Sequence, residues 1–165
     1  DKNGYVCDRY PYNIPIDKAV GFIEVDDEEL ERVKNEYPIV WKNPNAKPKL
    51  CFVGCPHLSL QQLKDWTVNI ENELKNNGKK KVTMKTVFTA APGVLEVFEK
   101  TEYAKRLEAT GVVVSYICPL MYMNNPLCKK VPVITSSNKL RTYTSARYYT
   151  DSEILHIITS KGGKR

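Results

Sequence analysis

The 165-residue sequence lacks the features that mark several common classes of protein. No apolar run approaches the roughly 18 residues that a membrane span needs, and no signal peptide opens the chain, so we predict a cytoplasmic protein without membrane contact. Neither a P-loop nor a G-x-G-x-x-G motif is present, which argues against the common nucleotide-binding loops. The first residue is Asp1 and not Met, from which we expect a piece of a longer polypeptide.

Histidine is scarce and cysteine is odd in number, which limits the metal and redox chemistry that the sequence can support. Five cysteines at irregular spacings make a poor disulfide framework in a chain that does not look secreted. Scattered cysteines in such a protein are inert buried thiols or metal ligands, and the location of each cysteine distinguishes between these two roles. They are Cys7, Cys51, Cys55, Cys118 and Cys128.

The net charge of +6 permits a nucleic-acid partner, but the distribution of the charge argues against one. The lysine run at 79–81 follows a turn, and the basic residues of 161–165 form a loose tail. Elsewhere lysines alternate with glutamates, and no aromatic residues are interleaved with the lysine run. We interpret the charges as a solvated surface, with a basic binding stripe as the alternative.

From about Lys49 onward, short apolar runs alternate with longer amphipathic segments. A strand at Leu50–Val53 is followed by a helix that Ser59 and Gln62 open as a capping box and that ends near Gly78. Further elements are a one-faced strand at 82–88, one helix from Pro92 to Gly111, a buried strand at 112–114, a strand at 131–135 and a last helix capped by Thr150 or Asp151. This order predicts an α/β fold, a three-layer domain with a mainly parallel sheet.

The first 48 residues differ from the rest of the chain in composition. Five prolines interrupt them, and only the acidic stretch at 26–30 opens an evident helix. We interpret residues 1–19 as an irregular N-terminal arm and residues 20–165 as a single α/β domain.

Two cysteines follow predicted strands, at the edge where open α/β sheets bind their ligands. Cys55 comes after the strand at Leu50–Val53 and before a helix N-terminus, whose dipole favours a thiolate. Cys118 comes after the strand at 112–114. Each precedes a proline, which holds the cysteine backbone extended. Two thiols presented in this way can converge on a soft metal, and the alternative is that both are small apolar residues at strand ends.

A third polar segment follows the strand at 131–135. The hydroxyls of Ser136 and Ser137 and the ammonium of Lys139 suit a carboxylate or phosphate, although such turns are common. His57 has a structural role or acts as a base or ligand, and both interpretations stay open. Four further residues are interpreted as structural or unassignable: Cys7, Cys51, Cys128 and His156.

The same residues resemble a known family. The segment LCFVGCPHLSLQQL, residues 50–63, resembles the Gly-Cys-Pro-His segment of the aconitase X large subunit. The similarity extends from the lead-in at 24–30 through 87–89 and the Cys118-Pro119 strand end to 134–139. It covers roughly residues 20 to 160, and the Gly-Cys-Pro-His element with its capped helix is the most specific part.

The resemblance implies the C-terminal, aconitase-like lobe of a hydro-lyase that removes water from a small hydroxy acid. Members of the family use cysteines to hold an iron–sulfur cluster or iron, which acts as a Lewis acid on the departing hydroxyl. Carried onto this sequence, the metal ligands are Cys55 and Cys118, the substrate-anion turn contains Ser136, Ser137 and Lys139, and His57 supports the ligands from beside them.

No counterpart of the family's third ligand or of a catalytic base is found, so we expect a chain that is inactive alone. The implied partners are the missing N-terminal portion and a small swivelling subunit. Two other functions stay open. Tyr116-Ile117 replaces the Asp-Thr that the family shows, which favours a binding module that retains the lobe without catalysis. A basic nucleotide- or nucleic-acid-binding domain is the other alternative, and it lacks the expected motifs.

Overall fold

A five-stranded sheet forms the centre of the α/β domain, and the computed structural model describes residues 24–123 and 125–160 of the chain. The strands are β1 (Leu50–Leu58), β2 (Lys85–Ala90), β3 (Val112–Ser115), β4 (Val133–Thr135) and β5 (Arg147–Tyr148). They are hydrogen-bonded in the order β3-β2-β1-β4-β5, and all four pairs are parallel. The carboxyl ends of the strands therefore meet at one edge of the sheet.

Eight helices occur within the described residues. They are α1 (Asp27–Asn35), α2 (Leu60–Asn76), α3 (Pro92–Glu99), α4 (Glu102–Ala109), α5 (Pro119–Met123), α6 (Pro126–Lys129), α7 (Asn138–Tyr143) and α8 (Asp151–Thr159). None of them is long and apolar enough to cross a membrane.

Two apolar cores, one on each face of the sheet, make the domain three-layered. The first core joins the sheet to α2, α3, α4 and α8 through buried side chains such as Ile70, Phe98 and Leu107. The second core joins the opposite face to α5 and α7 through Met123 and Leu140. Burial of apolar surface at about 25 cal/mol per Å² favours both arrangements. The predicted α/β fold with a parallel sheet is confirmed.

Tyr37 marks a boundary between two units of the chain. The described residues up to Tyr37 belong to one unit, and the residues from Pro38 onward belong to a second that contains the whole sheet. Helix α1 lies in the first unit, where the Asp26 side chain caps it by accepting a hydrogen bond from the Glu29 N–H at 2.8 Å. The predicted arm at 1–19 lies outside the described residues, so the boundary at residue 20 stays a prediction.

The sequence predicts a single helix between Pro92 and Gly111. This prediction is wrong, because the structure contains two helices there, α3 and α4. Both the hydroxyl and the backbone N–H of Thr101 donate to the Phe98 carbonyl, at 2.7 and 2.9 Å. Threonine offers the backbone this local alternative to helical hydrogen bonding. The break lets Phe98 and Leu107 both reach the first core, where each is almost completely buried.

The burial of β2 and β3 also differs from the pattern that the sequence predicts. The alternation at 82–88 indicates one apolar face, yet the last five residues of β2 are all buried because helices cover both faces. Three consecutive valines predict that β3 is buried, yet Val113 is 51% exposed. Val113 is paired with the buried Val87 on the second face, but β3 is the edge strand and lies beyond the helical cover there.

Candidate functional site

Strand β1 changes its register with β2 in its second half. Val53 pairs with Phe88, but Leu58 pairs with Ala90, so residues 54–57 stand opposite the single residue between those two partners. The expectation that the strand stops before Cys55 is therefore wrong, because Cys55 lies in an irregular part within β1. It precedes the N-cap of α2, Ser59, by four residues. The helix dipole acts within about one turn, so the structure does not support its expected effect on the Cys55 thiol.

Gly54 is the residue at which β1 leaves regular strand geometry. Its φ is +110°, a backbone conformation that side chains bearing a Cβ rarely adopt. Its carbonyl accepts a hydrogen bond from the buried Thr89 hydroxyl at 2.5 Å. A Cβ at this position would overlap the Thr89 backbone oxygen and lie 2.7 Å from the hydroxyl oxygen. Both the backbone angle and the close approach of the two strands therefore require glycine.

This irregularity decides the face of the sheet on which Cys55 lies. Successive side chains of a strand point to opposite faces. Cys51 and Val53 belong to the first core, and Phe52 belongs to the second. Regular alternation would place residue 55 with Cys51 and Val53. Cys55 instead joins Phe52 in the second core, where it is 8% exposed.

Cys51 is the inert member of the pair of cysteines on β1. Its side chain is fully buried in the first core, and this burial, assisted by the charge of Asp151, raises the pKa of the thiol far above its usual range. The thiolate is the form that ligates metal, so such burial opposes ligation. Two cysteines four residues apart on one strand thus face two different cores.

Cys118 lies in a short loop that follows the carboxyl end of β3. The Ser115 side-chain oxygen accepts a hydrogen bond from the Ile117 N–H at 3.1 Å, and the Cys118 carbonyl accepts one from the Met121 N–H at 2.9 Å. The Cys118 side chain is partly buried. Helix α5 begins at the next residue and packs on the second face, the face that carries Cys55.

Tyr122 of α5 contacts both of the strands that precede the candidate thiols. Its ring stacks on Phe52 of β1, with a centroid separation of 5.5 Å and an interplanar angle of 18°. Its hydroxyl lies 3.1 Å from the Ser115 hydroxyl at the end of β3. Tyr122 does not stand out in the sequence, because its segment has no clear periodicity and the neighbours that give it meaning are distant.

The third predicted segment begins a helix, whereas the sequence indicates a turn. Ser137 is the N-cap of α7, where its side-chain oxygen accepts a hydrogen bond from the Leu140 N–H at 2.9 Å and is largely buried. Ser136 is partly buried, and Lys139 is exposed in the first turn of α7. The helix uses one acceptor position of the Ser137 hydroxyl, and among the described residues its O–H donates to no partner.

The sheet order brings the Cys55 and Ser136 segments together and leaves Cys118 further away. Phe52 pairs with Thr135, so both segments leave the sheet from adjacent strands. The strand order reverses between β1 and β4, and such switch points are where open α/β sheets bind ligands. Strand β3 lies two strand spacings from β1, roughly 10 Å. A centre shared by Cys55 and Cys118 therefore requires that the loop after β3 reach toward β1.

The remaining candidates are less informative. His57 is exposed, and its side chain has no hydrogen-bond partner among the described residues. Cys128 packs partly buried against the second core, and His156 is exposed on α8. Cys7 lies outside the described residues. Within 24–123 and 125–160, no group of three histidine, cysteine or carboxylate side chains is arranged to hold a metal. The metal and substrate roles of the named residues stay predictions.

The geometry defines a parallel α/β domain of the class that binds ligands at a switch point of its sheet. A family model described as the aconitase X third domain matches residues 48–157, and the chain belongs to the aconitase X family. The resemblance that the sequence indicates is thereby confirmed.

A solved relative has the same fold. The crystal structure of Thermococcus kodakaraensis aconitase X in its holo-form superposes with a TM-score of 0.61 at 21% sequence identity. The match covers 81% of this chain and 33% of that one, so the chain spans about a third of the length of this relative. Among curated protein sequences, none matches the chain.

Replacement of Gly54 by alanine is expected to lower the free energy of unfolding by about 2–4 kcal/mol, because strain at positive φ adds to overlap with Thr89. Gly78→Ala is the matched control. Its φ is +64°, but nothing lies within 4 Å of its Cβ position, so it should cost only about 1–2 kcal/mol. Urea unfolding of both variants measures the difference. Equal losses would show that the approach to Thr89 carries no cost.

Proposed function

We propose that this chain is one lobe of an aconitase-X-type dehydratase, which eliminates water from a small hydroxy acid at the carboxyl edge of the sheet. The observation that carries the proposal is the irregularity at Gly54, which turns Cys55 onto the face of α5. Cys118 immediately precedes that helix, and we propose that its thiol lies on the same side of the sheet.

The chemistry of the donor set fits iron in part. Thiolates are preferred ligands of iron–sulfur clusters and of soft metals, and we assign this role to Cys55 and Cys118. The described residues contain no group of three donors, so a further ligand would come from elsewhere in the complete protein. Bound iron with an open coordination position would supply a Lewis acid for the departing hydroxyl. We propose that His57, exposed beside this segment, supports the ligands.

The substrate's carboxylate would bind beside the thiols, at the start of α7. Ser136 leaves the sheet on β4, the neighbour of β1, and Lys139 offers an exposed ammonium. The Ser137 hydroxyl accepts from the Leu140 N–H and still has its proton to donate to an anion. Charge-assisted hydrogen bonds of this kind orient a carboxylate. A cytoplasmic location, expected from the sequence, remains part of this proposal.

The other domains of an aconitase-X-type protein are the partners that we propose, with a small swivelling subunit as the expected addition. The family model is that of a third domain, and the solved relative is about three times as long as the matched region. Exposed apolar side chains surround the Cys118 loop and mark the surface on which another domain would pack: Val113, Tyr116, Ile117 and Met121. A contiguous exposed apolar patch is characteristic of an interface, and we propose that these side chains form one.

Val113→Lys should destabilise the complete protein more than Val97→Lys. The two valines are 51% and 50% exposed, but Val97 lies on α3, away from the proposed surface. In the chain alone, each change should alter the free energy of unfolding by less than about 0.5–1 kcal/mol, as surface substitutions do. Thermal unfolding of each variant, in the complete protein and in the chain alone, measures the change in stability. The proposed surface is wrong if both variants behave alike in the complete protein.

Cys55→Ala is expected to reduce the iron retained by the complete protein at least about tenfold, because it removes a proposed ligand. Even the loss of a group that only supports a ligand lowers metal affinity by about that factor. Cys51→Ala should keep the iron and cost mainly packing energy, because its thiol is buried in the first core. Iron content and visible absorbance after anaerobic reconstitution provide the measurement. Equal iron in wild type and Cys55→Ala contradicts the proposed function.

The isolated chain should not dehydrate hydroxy acids after reconstitution with iron and sulfide. Two thiols leave a centre short of ligands, and no residue of the chain is assigned as the catalytic base. A spectrophotometric assay for the unsaturated product measures turnover. Appreciable turnover by the purified 165-residue chain would refute the view that its site is incomplete.

A further inference from the structure

The carboxyl edge of the sheet contains a closed path of contacts that passes through both thiol-bearing segments. The Thr89 hydroxyl donates to the Gly54 carbonyl, and Thr89 is also the parallel partner of Ser115 on β3. From Ser115 the path continues through the hydroxyl of Tyr122, whose ring returns to Phe52 on β1. Cys55 and Cys118 each lie three residues beyond a member of this path.

The Ser115 side chain connects Tyr122 to the loop that holds Cys118. One oxygen forms the hydrogen bond with the Tyr122 hydroxyl and accepts from the Ile117 N–H, the residue before Cys118. At the other end of the loop, the Cys118 carbonyl accepts from Met121, the neighbour of Tyr122. The loop is therefore fixed at both ends, and the stack on Phe52 attaches it to β1.

We propose that Tyr122 is a positioning residue that holds the Cys118 loop at a defined distance from Cys55. The inference rests on the proposed function, in which both thiols serve one centre. Because β2 separates β1 from β3, the sheet alone keeps the two strands roughly 10 Å apart, which is too far for a shared centre unless the loop reaches across. Tyr122 spans this gap with a rigid ring that ends in a hydrogen bond.

Two substitutions separate the hydrogen bond from the stack. Tyr122→Phe keeps the ring on Phe52 and removes the hydroxyl, whereas Ser115→Ala removes the oxygen that joins Tyr122 to Ile117. Tyr103→Phe is the matched control, since Tyr103 is also partly buried but packs against the first core and its hydroxyl makes no hydrogen bond among the described residues. If Tyr122 had only a structural role, Tyr122→Phe and Tyr103→Phe would have the same effect on the Cys118 loop.

The first measurement is the alkylation rate of each cysteine in the metal-free chain, resolved by mass spectrometry. Loss of one hydrogen bond worth about 1 kcal/mol should open the loop and raise the Cys118 rate about fivefold in Tyr122→Phe and Ser115→Ala. Tyr103→Phe should leave that rate unchanged. Cys51 should stay protected in all three variants, which shows that each one is folded. Unchanged Cys118 rates in both test variants would overturn the proposal.

The second measurement is iron affinity and visible absorbance in the complete protein. Tyr122→Phe should weaken iron binding by a factor of about five to ten, less than the loss of a ligand, because it only loosens the position of one. If iron binding requires Cys55 but is unaffected by Tyr122→Phe, the positioning role is wrong and the proposed function stands. If the complete protein carrying Cys55→Ala retains as much iron as the wild type, the proposed function fails and the positioning role fails with it.

Discussion

The candidate site depends on the close approach of Gly54 to Thr89. Thr89 lies in β2, which is paired on both sides and buried on both faces, so its position is fixed. Four residues of β1 have to stand opposite this one residue, and a strand accommodates such an excess only by leaving the regular ladder. Glycine permits the departure, and the Gly54 carbonyl accepts a hydrogen bond from the Thr89 hydroxyl. The consequence is a change of face for Cys55.

The order of the strands explains why segments far apart in sequence contribute to one edge. From β1 the chain proceeds outward through β2 to β3, and it must then return past β1 to reach β4 on the other side. The return passes over the second face, where α5 contacts β1. Cys118 stands at the start of this return and Ser136 follows its end. The crossing therefore places the loop after β3 and the start of α7 on either side of Cys55.

Local signals in the sequence predict the capped helices α2 and α8 and miss the short helices α5, α6 and α7. The capping box at Ser59 is confirmed, with hydrogen bonds of 3.2 and 2.9 Å between Ser59 and Gln62, because both partners lie within four residues. Thr150 caps α8 in the same way. The irregularity at Gly54 depends on Thr89, 35 residues away, and the exposure of Val113 depends on β3 being an edge strand. Neither constraint leaves a local pattern, so neither could be predicted.

The two faces of the sheet differ in a way that suits a binding site. The first face is covered by α2, α3, α4 and α8, of 17, 8, 8 and 9 residues, whereas the second carries α5, α6 and α7, of 5, 4 and 6. Short helices have few internal hydrogen bonds and small apolar faces, so they open at lower free energy than long ones. Cys55 packs in the core that the short helices cover, and the proposed binding of a metal to its thiol requires that they move. We therefore expect the helices on the face of Cys55 to open at a lower free energy than the helices on the face of Cys51.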